Sequence, residues 1–531
     1  MSGWSDIRSS VAGQRDALVE SLQRPDEKQL QLLRRIIERN CDTEFGKRYG
    51  FRSVRTIADY QRRVPLHSYD DFRSDIHRMM AGEKNVLCAD DVLLFEQTGG
   101  STGGSKFLPF TEASLKAIRR AVLPWLDDLL TSRAGIPEGK AYWAISPATR
   151  QQSQTSGGIP IGIDNDAAYF GADLAQAIGR TLAVPASVAS IRSLNDWRLA
   201  TLCHLLACRD LSFVSVWSPT FLLQLLDAIP DDVERIATAV ETGSLSLSET
   251  VAGRKTFSIK ADRERAAELR VLFAAQTVRW ESIWPMLDTI SCWCSSSSRR
   301  YAKQVAERFP KTSIQGKGLL ATEGVVTVPL VDAHSPVLAV DSGFYEFESD
   351  SGEIVLPWEL ETEQTYSVLL TTEAGLYRYR LGDRVIVNAW YGATPCLEYV
   401  GREGGGSDLC GEKLTEEFVE AALGEIPGFG FLVPIAQPRP SYLLMLDAAI
   451  VNADEEENSA SLADRRLMQN PQYRYAREIG QLPPLAPHRI TDPLGMYKCI
   501  CVRSGQRLGD IKPSVLASAG WGERFRKAKA P

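Results

Sequence analysis

Apolar residues follow two different periods along this chain. Over the first ninety residues they recur at helical spacing in a charged background, with a break at Pro25. A short apolar run at 92–95 predicts a buried strand, and Thr111 is suited to cap a following amphipathic helix. Through the middle of the chain, strand-like runs alternate with helical segments. This alternation is typical of α/β proteins.

The segment from 343 to 400 differs, because strand-like runs follow one another without helices between them. The runs are FYEFE, EIVLP, TYSVLLTT, YRYRL, RVIVNAW and CLEYV, and they predict an antiparallel sheet. The glycine-rich stretch GREGGG at 401–406 marks a boundary after the last run. We therefore expect a large N-terminal domain, 1–400, with β-sheets flanked by helices, and a small α+β C-terminal domain, 401–531.

Composition narrows the class of protein. The chain has 531 residues with 44% hydrophobic and 24% charged residues, which is typical of a globular protein. Its net charge of −7 is spread along the chain, which argues against a nucleic-acid partner. No apolar run approaches the roughly eighteen residues of a membrane helix, so no membrane partner is expected. The ten scattered cysteines and the absence of an apolar leader favour a reducing cytoplasm, and a monomer is the expected state.

The strongest local motif is QTGGSTGGSK at 97–106, between two predicted strands. Glycines let successive backbone N–H groups face one concavity, and hydroxyl groups and a lysine add donors, as a polyphosphate requires. The motif differs from the standard P-loop, and a flexible turn is the alternative. Its Gly-x-Ser-x-Gly core also fits a serine hydrolase with Ser101 as nucleophile, but that elbow needs a helix after it, where a strand is predicted.

Three further short stretches carry polar side chains suited to nucleotide chemistry. LLATEG places Thr322 and Glu323 in a turn, and GLYRYRLGD ends a predicted strand at Asp383, where a carboxylate could accept ribose hydroxyl groups. GQRLGDIKP holds Lys512 in a polar loop. Taken singly, each residue is better explained without a function: Glu323 as a turn acid, Asp383 as a turn former and Lys512 as a solvated cation.

The order of these motifs resembles that of the adenylate-forming superfamily. Within it, the chain most resembles the auxin-responsive acyl-acid–amido synthetases, which conjugate plant hormones to amino acids, and their bacterial relatives. The segments that carry the resemblance run from about residue 15 to about residue 515 and are TEFGKRYGF, RVPLHSYDDF, AGEKNVL, YEFE, GLYRYRLGD, PCLEYVGR, CGEKLTEE and NPQYRYAR.

The resemblance implies an ATP-dependent ligase that adenylates a small carboxylic acid and transfers the acyl group to an amine, with ATP and Mg²⁺ as cofactors. It implies that Lys512 and Glu323 are catalytic and that Glu323 also holds Mg²⁺. The residues implied to bind ATP or AMP are Thr98, Gly99, Gly100, Ser101, Thr102, Gly103, Lys106, Thr322, Tyr379, Asp383, Arg402 and Lys413.

Two positions depart from the family pattern. Leu319 stands where relatives carry an aromatic residue that packs on adenine, and WCSSSS at 293–298 replaces a glycine pair beside the nucleotide. Three alternatives stay open: a thiol acceptor such as coenzyme A or a carrier protein, the serine hydrolase at Ser101, and a relative that binds nucleotide without catalysis.

Overall fold

A computed structural model describes most of the chain. The described residues are 3–98, 106–144, 153–162, 170–251, 254–275, 278–403, 406–436, 439–503, 506, 508–517 and 521. Five of the residues implied to bind ATP therefore lie outside the described part, namely Gly99, Gly100, Ser101, Thr102 and Gly103. No helix in the described ranges combines the length and apolar character needed to cross a membrane.

Helices dominate the first ninety residues, as predicted, and later flank the sheets. They are α1 (Gly3–Val11), α2 (Gln14–Ser21), α3 (Pro25–Asn40), α4 (Glu44–Arg48), α5 (Ile57–Arg63), α6 (Tyr69–Met80), α7 (Glu112–Ser132), α8 (Ala172–Thr181), α9 (Leu194–Ala207), α10 (Pro219–Asp227), α11 (Ile229–Thr242), α12 (Arg263–Ala274), α13 (Trp280–Ile283), α14 (Arg299–Arg308), α15 (Glu416–Leu423), α16 (Glu456–Leu467), α17 (Pro471–Glu478) and α18 (Pro493–Arg503). Thr111 caps α7 as expected, since its hydroxyl accepts the backbone N–H of Ser114 at 3.2 Å.

The strands, in chain order, are β1 (Val92–Thr98), β2 (Lys106–Thr111), β3 (Lys140–Trp143), β4 (Ser153–Gln154), β5 (Pro160–Ile161), β6 (Leu211–Ser215), β7 (Ser244–Val251), β8 (Arg254–Ser258), β9 (Thr289–Cys292), β10 (Ser313–Gly316), β11 (Leu320–Ala321), β12 (Gly324–Val325), β13 (Thr327–Val328), β14 (Val337–Leu338), β15 (Phe344–Ser349), β16 (Ile354–Val355), β17 (Thr365–Thr371), β18 (Tyr379–Tyr391), β19 (Thr394–Arg402), β20 (Gly406–Ser407), β21 (Leu414–Thr415), β22 (Phe431–Ile435), β23 (Ser441–Asp447) and β24 (Ala486–Ile490). The predicted mixture of helices and sheets is confirmed.

Two large sheets organise the N-terminal region. The first has the order β10-β9-β6-β3 with all strands parallel, and the β6 and β9 residues are buried on both faces. The second is antiparallel, with the order β13-β14-β19-β18-β17-β15-β16. Ligands of α/β proteins bind beyond the carboxyl ends of parallel strands. The residues that follow β6, β9 and β10 are therefore positioned to line a site.

The C-terminal region builds its own sheet, β22-β23-β24, and its own apolar cluster around Leu444, Val419 and Leu467. A second cluster, however, joins Phe429, Phe431 and Tyr497 of this region to residues of the parallel-sheet layer. The C-terminal region thus has an independent core and is also packed against the large N-terminal region.

One strand expectation is wrong. YRYRL and RVIVNAW do not form two strands separated at Asp383, because β18 runs without interruption from Tyr379 to Tyr391. Gly382 has φ of 79°, which glycine tolerates, and Asp383 pairs with Arg402 across the β18–β19 ladder. The ladder shifts register just after this pair, a bulge that turns the local side chains. Tertiary pairing overrides the turn preference of Gly-Asp.

Candidate active site

A cavity of 1310 Å³ opens where the two large sheets and the C-terminal region meet. The residues after β6, β9 and β10 contribute one wall, β18 and β19 a second, and the segment around Lys512 a third. Five of the residues implied to bind ATP line it, namely Lys106, Thr322, Tyr379, Asp383 and Arg402, and so do the two residues implied to be catalytic, Glu323 and Lys512.

Lys106, Tyr379 and Glu323 form a chain of contacts along one wall. The Lys106 ammonium donates to the Tyr379 hydroxyl at 3.3 Å, and this hydroxyl donates to Oε1 of Glu323 at 3.2 Å. Tyr69 of α6 fixes the start of β2, because its hydroxyl accepts the Phe107 N–H at 2.8 Å. The lysine that ends the glycine-rich motif is therefore directed at the turn that carries Glu323.

The two described ends of the motif lie in neighbouring strands. Thr98 at the end of β1 lies opposite Lys106 at the start of β2, and the two strands are antiparallel. The side chain of Thr98 and residues 99–105 lie outside the described part of the chain. A nucleophile elbow requires a helix immediately after the turn, whereas here a strand follows. The context therefore disfavours the serine hydrolase with Ser101.

Asp383 and Arg402 form an ion pair across neighbouring strands. Nε of Arg402 lies 3.1 Å from Oδ1 of Asp383, and Nη2 donates to the backbone carbonyl of Leu381 at 3.3 Å. Burial raises the pKa of Asp383, and the positive charges of Arg402, Lys512 and Lys106 oppose that rise. The carboxylate is therefore held among three cations in the wall of the cavity.

Lys512 reaches the cavity from the C-terminal region. Its ammonium lies 4.5 Å from the ring centroid of Trp293, after β9, and 4.6 Å from that of Tyr399 on β19. The surrounding protein displaces water and lowers the pKa of Lys512, whereas the nearby Asp383 carboxylate acts in the opposite sense. This segment is fixed to the C-terminal sheet, since the N–H of Leu432 donates to the carbonyl of Val515 at 2.7 Å.

Thr322 and Lys413 differ in their position relative to the cavity. Thr322 lies in the turn between β11 and β12 together with Glu323, as the sequence predicted. Lys413 does not line the cavity, because its side chain is exposed; its backbone φ is 45°. It follows a turn that is stabilised by the buried carboxylate of Glu412, which accepts the N–H groups of Leu409 and Cys410. The structure thus brings Thr322 to the site and leaves Lys413 outside it.

Several residues of the cavity were missed as functional candidates by the sequence analysis. Trp217, Lys317, Tyr399 and Glu416 line the same space, and Trp293 was noted only as part of a departure from the family pattern. One local signal was available for Trp217, because it is the last residue of the strand-like run LSFVSVW at 211–217. Leu319 is buried, and its N–H donates to the Thr327 hydroxyl at 2.7 Å. Trp293, Tyr399 and Tyr379 are among the aromatic residues that line the cavity in its place.

The acidic side chains of the site are compatible with a magnesium ion brought by ATP. Magnesium in phosphoryl-transfer sites is held by one or two carboxylates together with substrate phosphates. Burial raises the pKa of Glu323, as expected for a carboxylate that lacks a full counter-charge. Over the residues that the structure describes, no group of three or more His, Cys, Asp or Glu side chains is arranged to bind a metal. A single carboxylate, Glu323, therefore fits a shared ion better than a dedicated metal site.

Comparison with known sequences identifies relatives over most of the chain. The family model of the GH3 family N-terminal domain matches residues 14–314, and that of the GH3 family central domain matches residues 336–402. Indole-3-acetic acid-amido synthetase GH3.4 of Arabidopsis thaliana is 22% identical over 413 residues, 72% of this chain and 68% of that protein. Jasmonoyl–L-amino acid synthetase JAR4 of Nicotiana attenuata is 22% identical over 421 residues, 74% of this chain and 72% of that protein.

Solved structures show the same fold. GH3.15 acyl acid amido synthetase superposes with a TM-score of 0.83 at 18% identity, covering 97% of this chain and 95% of that one. A 2-hydroxyisobutyryl-CoA ligase in the postadenylation state gives a TM-score of 0.51 at 12% identity, covering 95% of this chain and 91% of that one. The predicted adenylate-forming-type fold is thus confirmed. Because the two family models together match more than half of its length, the chain belongs to the GH3 family.

Proposed function

We propose that this protein is an ATP-dependent acyl-acid amido synthetase, which joins a carboxylic acid to an amine, most suitably an amino acid. One observation carries the proposal: Glu323, Asp383 and Lys512, from three distant segments, line one cavity together with Lys106. The amido synthetases among the relatives support the reaction class. The monomeric state and the cytoplasmic location stay predictions of the sequence.

In the first half-reaction, a carboxylate oxygen of the acid attacks the α-phosphorus of ATP. The new bond gives an acyl-adenylate, and the bond to the β-phosphate oxygen breaks to release pyrophosphate. Negative charge builds on the phosphate oxygens, so preorganised cations are the main source of rate enhancement. Lys512 and Lys106 would supply these charges, and Asp383 would accept the ribose hydroxyl groups. Glu323 would hold the Mg²⁺ that accompanies ATP, and this ion would supply further positive charge at the phosphates.

In the second half-reaction, the neutral amine attacks the carbonyl carbon of the acyl-adenylate. A carbon–nitrogen bond forms, the carbon–oxygen bond to AMP breaks, and the amine nitrogen releases a proton to water. We infer that the C-terminal domain, 401–531, rotates about the stretch after β19 between the two halves. The separate apolar cluster and sheet of this region support that inference. Lys413, exposed in this arrangement, would approach the site only after such a rotation.

The test is ATP–pyrophosphate exchange with a panel of aromatic, indole-type and fatty carboxylic acids in the absence of amine. Exchange with one acid, followed by mass-spectrometric detection of an amide with an amino acid, is the expected result. A thioester formed with coenzyme A, and no amide with any amine, would instead assign a thiol acceptor. ATP binding without exchange across the panel would identify a non-catalytic relative.

A further inference from the structure

A second lysine, Lys317, lies in the cavity away from the groups used above. It follows β10 directly, and its ammonium donates to the hydroxyl of Ser215 at the end of β6, at 2.9 Å. The rings of Trp125 and Trp217 flank it, with centroids 5.4 and 5.0 Å from the nitrogen. Three side chains therefore hold the cation in place. Lys317, Ser215 and Trp217 lie near the carboxyl edge of the parallel sheet, and Trp125 lies on the facing helix α7.

This lysine has no anionic carboxylate partner in the part of the chain that the structure describes. The two titratable groups that face it are the thiols of Cys292 and Cys294, and burial lowers its pKa to about 8. Below that pH it is cationic. A charge enclosed by protein is costly unless a counter-charge or full hydrogen bonding compensates it. Ser215 satisfies one of its three N–H donors, which leaves donors available to a ligand.

Lys317 and Lys512 are held by different members of a tryptophan pair. Lys317 contacts Trp217, Lys512 contacts Trp293, and the two ring centroids lie 5.8 Å apart. The cavity therefore has two cationic poles with aromatic surface between them. Lys512 belongs to the pole at which the nucleotide and the reacting carboxylate are expected. The half-reactions proposed above assign no role to Lys317.

The walls around Lys317 are flat and apolar. Trp125 packs edge-on against Trp143 with centroids 6.1 Å apart, and Trp143 packs against Phe170 at 5.7 Å. All three side chains line the cavity. Aromatic walls of this kind favour a planar, ring-bearing ligand, and a buried ammonium favours an anionic oxygen on it.

We propose that Lys317 is a specificity-determining residue that binds a second anionic oxygen group, on a ring-bearing acid whose other carboxylate is adenylated near Lys512. The inference rests on the proposed function, since it names the acid used by the same site. The preferred substrate class is thus an aromatic acid with a second carboxylate or ionised oxygen at the end remote from the reacting group. Acids whose remote end is neutral or apolar bind less tightly, because they leave the Lys317 charge without a partner.

The test compares matched pairs of acids that differ in charge but hardly in shape: terephthalate with 4-nitrobenzoate, and 4-carboxyphenylacetate with 4-nitrophenylacetate. Binding is measured calorimetrically with α,β-methylene-ATP and Mg²⁺ present, and pyrophosphate exchange is measured separately. For at least one pair, the native protein should bind the dianion about tenfold more tightly or better. Lys317→Met should remove that preference, and Lys317→Arg should retain part of it.

Lys311→Met serves as the matched control, since Lys311 is an exposed lysine paired with Glu281. It should bind both acids of each pair as the native protein does. Equal binding of both acids in every pair by the native protein, no binding of any of them, or an undiminished preference in Lys317→Met would overturn the proposal. A preference for the dianion that is lost in Lys317→Met supports the Lys317 proposal even if no acid gives pyrophosphate exchange. Failure of the proposed reaction is therefore distinguishable from failure of the Lys317 assignment.

Discussion

Lys512 illustrates how a single side chain ties the C-terminal region to the chemistry. Its ammonium is held against two aromatic rings of the large N-terminal region, beside Asp383. We expect Lys512→Ala to lower the rate of pyrophosphate exchange by about a hundredfold or more, because it removes a preorganised charge from the developing phosphate charge. Circular dichroism and the unfolding midpoint should stay unchanged, since the side chain is exposed to the cavity.

The control for this variant is Lys311→Ala, which removes a surface lysine and should exchange at the native rate. The surrounding protein lowers the pKa of Lys512, so exchange should decline on the alkaline side at a lower pH than an ordinary lysine would cause. Lys512→Arg, whose guanidinium stays charged, should move that decline to higher pH. Native turnover in Lys512→Ala would contradict the assignment.

For individual residues, the sequence could identify candidate site residues but not the side chains that contact them in the fold. Glu323, Asp383 and Lys512 were found because their motifs occur in a recognisable order, and each lines the cavity. Their roles stay predictions. Lys317 and Tyr399 could not be found in this way, because their significance comes only from side chains that are distant in sequence.

At the scale of elements, β18 depends on a buried ion pair at its start. The guanidinium of Arg378 donates to Glu346 of β15 at 2.9 and 3.0 Å and to the carbonyl of Val64 at 2.8 Å. Arg378→Met should lower the free energy of unfolding by about 3–5 kcal/mol, because it leaves the Glu346 carboxylate buried without its counter-charge. Urea denaturation followed by circular dichroism measures the change.

The matched variant is the double substitution Arg378→Met/Glu346→Leu. It removes both charges, so it should recover most of the stability that the single substitution loses. Recovery of less than half would mean that Arg378 acts mainly through its hydrogen bonds to backbone carbonyls, such as that of Val64, and would contradict the charge argument.

Sequence signals such as caps and prolines predicted the ends of elements correctly where those ends depend on residues close in sequence. The cap at Thr111, the break at Pro25 and the turn at Thr322 were all predicted correctly, since each depends on neighbouring residues in sequence. The division at Asp383 was wrong for the opposite reason. Gly-Asp favours a turn in isolation, but pairing with Arg402 on β19 continues the strand through it.

At the scale of the whole molecule, Lys498 of α18 is buried against α10 and donates to Oε1 of Gln224 at 2.7 Å. Burial lowers its pKa from 10.5 to about 7, and Asp492 only partly opposes this. Between about pH 7 and 10.5 the unfolded chain thus binds more protons at this site than the folded chain, so the site's contribution to stability rises with pH. Lys498→Met should therefore stabilise the protein most near pH 6.

Denaturant unfolding of the native protein and of Lys498→Met, repeated from pH 6 to pH 10, measures this effect. The difference in unfolding free energy should shrink steadily as the pH rises, because the native protein loses the penalty of a buried charge. Lys303→Met, at an exposed lysine of α14, is the control and should show no such trend. A difference that does not depend on pH would contradict a charged Lys498 in the folded protein.

Family and overall fold were predictable because the motifs extend over nearly the whole length, and both are confirmed. The domain boundary at 400–401 stays a prediction. The packing of Phe429 and Tyr497 against residues of the parallel-sheet layer was not predictable, because apolar residues at a domain surface have the same pattern as those of an ordinary core.

The contact between Lys512 and Trp293 gives this arrangement of the two regions an optical signature. We expect an ammonium 4.5 Å from the ring centroid to shift the emission of that indole, and the shift to disappear when the lysine withdraws. The difference spectrum between the native protein and Trp293→Phe isolates this one chromophore from the other ten tryptophans. Stopped-flow fluorescence could therefore follow the departure of the lysine in real time, without any attached dye.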